Sequence, residues 1–158
     1  RYGNASPDEA YMLGLFQNAG EVLMMRRFDD YGALLAEARA GSLNQVQLED
    51  ARYSTNHAVV GYFISTTWKL PQDIQTLILR HHDASGFLQE EGGAPSPQRN
   101  LMAILKMAEH IDACFWGRPE NAEWARHGDA VLNYMGISSI EFLDVTEDFV
   151  ELLIAQHS

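Results

Sequence analysis

The stretch NHAVVGYFISTTWKLPQDIQTLILRHH, residues 56–82, decides the fold class. Its apolar side chains recur every three or four positions, which is the period of an amphipathic α-helix. Asn56 can cap a helix over about 56–69, and Pro71 suits the start of a second helix that runs to about His82. No run of five or more residues in the chain alternates β-branched and polar side chains, as a strand would. The sequence therefore predicts an all-α fold.

The same period extends outward from this stretch in both directions. Upstream, Ser6, Pro7 and Glu9 form the pattern of a capping box at the start of a long helix. Downstream, residues 83–96 are rich in Gly, Pro, Ser and Glu, which predicts an exposed loop. The helices predicted outside the opening stretch are about 7–27, 30–40, 43–52, 97–116, 120–135 and 138–156. We therefore expect one compact bundle of seven or eight helices in a single domain, 1–158.

The composition indicates a soluble protein of the cytoplasm. The 158 residues fit one domain of ordinary size, and 46% apolar residues suffice for a core. The single cysteine, Cys114, excludes an internal disulfide, and neither a signal-peptide pattern nor an apolar run of about 20 residues is present. The net charge of −11, with 22 acidic against 11 basic residues, disfavours nucleic acids and anionic membranes as partners. Because the chain starts with Arg1, we expect a fragment or a processed product.

Histidine and carboxylate side chains supply the candidates for chemistry. His81 and His82 follow apolar positions of their helix by three or four residues, so they project toward its buried side. His57 begins the preceding helix, and Glu109 and Asp112 share one face of an otherwise apolar helix. Buried imidazoles and carboxylates of this kind can form a metal site. The alternative interpretation is a hydrogen-bonded or solvent-facing histidine pair at a helix end.

Five short motifs follow one another between residues 11 and 112. They are Leu13–Gly20 (LGLFQNAG), Asn56–Gly61 (NHAVVG), Trp68–Pro71 (WKLP), Ile78–Asp83 (ILRHHD) and Ala103–Glu109 (AILKMAE). The ordered set resembles the HDOD branch of the HD-domain superfamily, whose motifs read G-L-L-H-D-I-G, D-H-A-x-V-G, W-x-L-P, I-x-x-H-H and A-x-x-x-x-A-D. The resemblance implies a helical domain of the HD type and, for the enzymes of that superfamily, a metal-dependent phosphohydrolase centre.

The departures from the family pattern fall on the metal ligands. In HD hydrolases a His-Asp pair supplies two ligands and the Asp commonly bridges two ions, whereas Gln17 and Asn18 stand at the matching positions here. The side-chain amides of Gln17 and Asn18 are neutral, weak metal ligands, and Glu109 stands where the family has a later Asp. The family's first His, and the helical half of the domain that contains it, would lie before residue 1. The resemblance thus implies a vestigial pocket of Gln17, Asn18, His57, His81, His82, Glu109 and Asp112. We expect no catalytic residue, no cofactor and no metal, the weak metal candidates being His57, His81, His82 and Glu109.

Three functions stay open at this point. HDOD proteins are typically regulatory modules of bacterial signal transduction, so the resemblance implies a non-enzymatic module that binds a partner protein or a small effector. A metal-dependent phosphohydrolase or phosphodiesterase with altered ligands is the alternative, and a structural domain with an empty pocket is the third. The Gly-Tyr-Pro signature of the related cyclic di-GMP hydrolases has only Ser85-Gly86-Phe87 as a counterpart. If the upstream half is absent, we expect a homodimer or an exposed apolar patch.

Overall fold

The computed structural model describes residues 5–40, 44–89 and 95–157, and within these ranges the chain forms ten α-helices and no strand. The predicted all-α fold is confirmed. The helices divide into two compact units, an N-terminal unit of residues 6–83 and a C-terminal unit whose helices all follow residue 83, and to which Ala5 also belongs. The expectation of a single domain stays a prediction. Among the helices of the described ranges, none is both long enough and apolar enough to cross a bilayer.

Six helices among the described residues build the N-terminal unit. They are α1 (Pro7–Phe16), α2 (Ala19–Arg27), α3 (Tyr31–Ala40), α4 (Gln45–Tyr53), α5 (His57–Thr67) and α6 (Gln72–Arg80). α5 packs against both α2 and α6, and α3 packs against α4. Their buried apolar side chains include Met24, Leu34, Leu48, Ile74, Leu77 and Ile78. Burial of each such side chain contributes about 1.5–3 kcal/mol to the stability of the fold.

The helix predicted over 7–27 is wrong as one element, because the chain breaks at Gln17 and Asn18. Asn18 has φ −102° and ψ 14°, which ends the regular helical geometry before α2 begins. The new direction of the chain brings α2 against the backbone of α5. A Cβ atom built on Gly20 would lie only 2.0 Å from the backbone oxygen of His57. The break therefore allows a close contact between α2 and α5 that only a glycine at position 20 permits.

Polar caps begin several of the helices. The side chain of Asn56 accepts from the backbone N–H of Val59 at the start of α5, as the sequence predicted. Ser6 makes no side-chain hydrogen bond at the start of α1, so the capping box predicted there is wrong. A complete capping box occurs instead at α4, between Asn44 and Gln47.

In the described part of the C-terminal unit there are four helices. They are α7 (Ala84–Gln89), α8 (Pro97–Phe115), α9 (Ala122–Met135) and α10 (Ser139–His157). α7 lies inside the predicted loop 83–96, and for these residues the loop prediction is wrong. Ala84, Phe87 and Leu88 are buried at the spacing of one helical face, so the segment folds to cover part of the core. Residues 90–94 of the predicted loop lie outside the described ranges.

Two glycine variants test the close approach of α2 to α5. Gly20→Ala places its methyl group against the His57 carbonyl, so we expect a loss of about 1–3 kcal/mol in the free energy of unfolding. Gly14→Ala is the matched control, because a Cβ atom there meets no other atom within 4 Å. Because position 14 lies inside a helix, the alanine there should raise the free energy of unfolding by about 0.5–1 kcal/mol. Urea unfolding curves measure both changes, and equal effects would contradict the described α2–α5 contact.

Candidate functional site

Three histidines meet inside the N-terminal unit. His57 is the first residue of α5, His81 follows the last residue of α6, and His82 comes next. The Nε2 atom of His57 lies 3.3 Å from Nε2 of His81 and 2.9 Å from Nε2 of His82. His57 and His81 are fully buried, and His82 is half-buried. The structure thus brings together the three histidines of the predicted set.

Hydrogen bonds on the opposite ring nitrogen fix how two of the imidazoles face the cluster. The Nδ1 atom of His81 lies 2.7 Å from the backbone oxygen of Ile78, which can only accept, so this nitrogen donates its proton. The Nδ1 atom of His57 lies 2.8 Å from Oε2 of Glu49, and an ionised carboxylate also only accepts. In their neutral forms both rings therefore turn an unprotonated Nε2 toward the centre of the cluster.

Glu49 is a fully buried carboxylate that supports His57 from behind. Its Oε2 accepts from the backbone N–H of His57 at 2.8 Å, and its Oε1 accepts from the Tyr31 hydroxyl at 2.5 Å and from the Gln45 amide at 2.9 Å. Burial alone raises the pKa of Glu49, but the hydrogen bonds from the ring and backbone of His57 and from the Tyr31 hydroxyl bring it below its usual value. The carboxyl group is therefore ionised in the interior of the unit.

Tyr31 and Glu21 extend this polar network. Burial, together with the hydrogen bond and the charge of Glu49, raises the pKa of the Tyr31 hydroxyl, so the group stays protonated and donates. The Gln45 amide, which donates to Glu49, also donates to Oε1 of Glu21 at 2.7 Å. Side chains from α2, α3 and α4 thus converge behind the first turn of α5.

The three Nε2 atoms form a donor set that suits a divalent cation. One ligand nitrogen from each histidine lies within 4.8 Å of the others. Neutral imidazole is a good ligand for zinc and similar ions, and such ligands usually donate their second N–H to a carboxylate or a backbone carbonyl. Glu49 and Ile78 supply these two supports. The residues therefore fit one cation held by His57, His81 and His82.

The Gln17-Asn18 pair lies at the α1–α2 break. Asn18 is exposed, whereas Oε1 of Gln17 is buried and has no hydrogen-bond partner among the described residues. The Gln17 backbone oxygen lies 3.8 Å from the position that a Cβ atom on Gly61 of α5 would take. Unpaired buried acceptors are uncommon in folded proteins. Neither amide carries the negative charge that a bridging ligand between two cations needs.

The remaining two predicted residues belong to the C-terminal unit. Glu109 accepts a hydrogen bond from Nζ of Lys106 at 2.8 Å, and Lys106 also contacts Glu123 at 3.0 Å. Burial alone lowers the pKa of Lys106, but the charges of Glu109 and Glu123 raise it above its usual value. Asp112 is exposed on the same helix. A pocket that joins Glu109 to the histidines stays a prediction.

The residues that support the cluster are not predictable from the sequence pattern. Glu49, Tyr31 and Gln45 lie 8, 26 and 12 positions before His57, so no helical spacing links them to it. A weak signal was present, because Glu49 follows the buried Leu48 in a helix with few other apolar residues. A carboxylate that is buried in this way requires several donors, and only the tertiary structure shows them.

A family model described as HDOD domain matches residues 1–84, which is more than half of the chain. The matched region ends one residue after the N-terminal unit, which ends at Asp83. It therefore contains the three histidines and their supporting residues. No curated protein and no solved structure matches the sequence at a significant level.

Two tyrosine variants test the support of the buried carboxylate. Tyr31→Phe removes a donor from Glu49, and an unsatisfied buried group costs about 1–3 kcal/mol of unfolding free energy. Tyr53→Phe is the matched control, because its hydroxyl donates to Asp30 at an exposed position. The Tyr53 substitution should change the free energy of unfolding by no more than about 0.5 kcal/mol. Unfolding in urea, followed by circular dichroism, reports both values, and a Tyr31 variant as stable as the Tyr53 variant would contradict this account.

Proposed function

Because the chain belongs to the HDOD domain family, we propose that it is a non-enzymatic regulatory module of bacterial signal transduction. In this proposal the module works in the cytoplasm and binds a partner protein or a small effector. The histidine cluster has a structural role and holds no more than one cation.

The burial of His57 and His81 is the observation that carries this proposal. His57 and His81 are each 0% exposed, and their Nε2 atoms face each other. A hydrolytic metal centre needs an open coordination position that water and substrate can reach. A cation held between these buried rings has little access to a phosphoester.

The charges of the predicted ligand residues support the same conclusion. Two-metal hydrolysis depends on anionic ligands that bridge and hold both ions. Asn18 is neutral and exposed, and Glu109 is engaged by the buried Lys106. Glu49 is anionic, but its oxygens already accept from His57, Tyr31 and Gln45. No free carboxylate is thereby left among these residues to clamp a second ion.

Exposed apolar side chains on the N-terminal unit support a binding role. Four large ones are more than 60% exposed, and three of these four are aromatic. They are Tyr11 (74%), Leu15 (61%), Phe63 (63%) and Trp68 (61%). Aromatic residues are common where one protein binds another. The net charge of −11 favours a protein or a small molecule over nucleic acid.

A metal-dependent phosphohydrolase is the second candidate. The observation in its favour is the set of three imidazoles, two of which have the supports typical of metal ligands. This candidate requires the cluster to open, so that a metal-bound water and a phosphoester can approach.

A substrate panel distinguishes the two functions. We expect no hydrolysis of phosphomonoesters, nucleotides or cyclic dinucleotides with added Mn²⁺, Mg²⁺, Fe²⁺ or Zn²⁺, because the anionic ligands are missing. The control is a triple variant, His57→Ala, His81→Ala and His82→Ala, assayed beside the unaltered chain. Metal-stimulated turnover that disappears in the triple variant would replace the regulatory proposal with the hydrolase.

A further inference from the structure

We infer that Glu49 is the positioning residue of a single-cation site made by His57, His81 and His82, and that Tyr31 holds Glu49 in this role. The inference rests on the proposed structural cation. It goes beyond that proposal, because it assigns the affinity of the site to a carboxylate that does not touch the ion.

The first step is the choice of ring nitrogen on His57. A neutral imidazole carries its proton on either nitrogen, and only the form protonated at Nδ1 leaves Nε2 as a ligand. Both carboxylate oxygens of Glu49 lie near this Nδ1, at 2.8 and 3.0 Å. Because a carboxylate cannot donate, it keeps the proton on Nδ1 and directs the lone pair of Nε2 toward His81 and His82.

The second step is the electrostatic balance inside the cluster. His81 is fixed in the same form by the backbone oxygen of Ile78, so its Nε2 faces the Nε2 of His57 at 3.3 Å. Two lone pairs at this distance repel each other unless a donated N–H or a positive charge lies between them, and Nε2 of His82, 2.9 Å from Nε2 of His57, can donate such an N–H in the metal-free chain. A cation removes this repulsion, and Glu49 on the far side of the His57 ring strengthens the ring as a ligand.

The third step is the rigidity of Glu49 itself. Tyr31 from α3, Gln45 from the first turn of α4 and the backbone N–H of His57 all donate to its two oxygens. The side chain is 0% exposed, so water does not compete for these positions. Ligand-supporting groups act best when their own orientation is fixed in this way.

Metal titration of the full chain tests the inference. The protein is stripped with a chelator, and Zn²⁺ affinity is measured by competition with a chromophoric chelator, with Co²⁺ absorption as a report on nitrogen ligation. We expect one Zn²⁺ per chain and a loss of affinity of about 10–100-fold in Glu49→Gln, the usual effect of removing such a support. Glu37→Gln is the matched control, because Glu37 is an exposed carboxylate that pairs with Arg52. Its affinity should equal that of the unaltered chain.

Two further measurements keep the result interpretable. Nitrogen-15 spectra of the imidazoles should show His57 protonated at Nδ1 in the metal-free chain and a shifted tautomer balance in Glu49→Gln. If Glu49→Gln does not fold, Tyr31→Phe provides the milder variant, with a smaller loss of Zn²⁺ affinity.

Each outcome has a defined consequence. Equal Zn²⁺ affinity in Glu49→Gln and Glu37→Gln overturns the positioning role of Glu49. No Zn²⁺ binding by the unaltered chain overturns the cation site as a whole. The regulatory function does not depend on either result, because only phosphoester turnover in the substrate panel contradicts it.

Discussion

The contact between the buried Glu49 carboxylate and His57 is the constraint on which the N-terminal unit depends. A buried carboxylate stays ionised only when its oxygens accept several hydrogen bonds. Tyr31 from α3 and both the ring and the backbone N–H of His57 from α5 supply these bonds, so three helices are joined around one carboxylate. Loss of a partner from such a buried pair typically costs about 3–5 kcal/mol, far more than an exposed ion pair contributes.

The packing of the helices around His57 also explains the path of the chain upstream of α5. α2 packs against α5, whereas α1 packs against α6, and one straight helix over 7–27 would not follow both neighbours. The break at Gln17 and Asn18 resolves this conflict, and Gly20 then lets α2 approach the first turn of α5. The position of His57 at that turn thus depends on a backbone contact as well as on Glu49.

The sequence predicts what depends on local pattern and misses what depends on tertiary partners. Period and capping place α5 and α8 within about two residues, because apolar spacing and the caps Asn56 and Ser96 are local signals. The break at Gln17 and Asn18 leaves no such signal, since both residues also occur inside helices. The spacing of His81 and His82 from apolar positions predicts that they face the buried side of their helix, and His81 is fully buried. Glu49 is beyond such reasoning, because its donors come from elsewhere in the chain.

The N-terminal unit contains the groups that orient the histidine cluster. Glu49 and the backbone oxygen of Ile78 hydrogen-bond to Nδ1 of His57 and of His81, and Tyr31 donates to Glu49; all of these residues lie within the part of the chain that matches the HDOD domain. Glu109 lies outside that part and has its own partner in Lys106. Within the N-terminal unit, the orientations of His57 and His81 are fixed by Glu49 and the backbone of Ile78, not by an anionic ligand that bridges two ions. Two-metal hydrolysis requires that anionic charge, whereas the packing of the cluster and the binding of one cation require only the imidazoles and their supports.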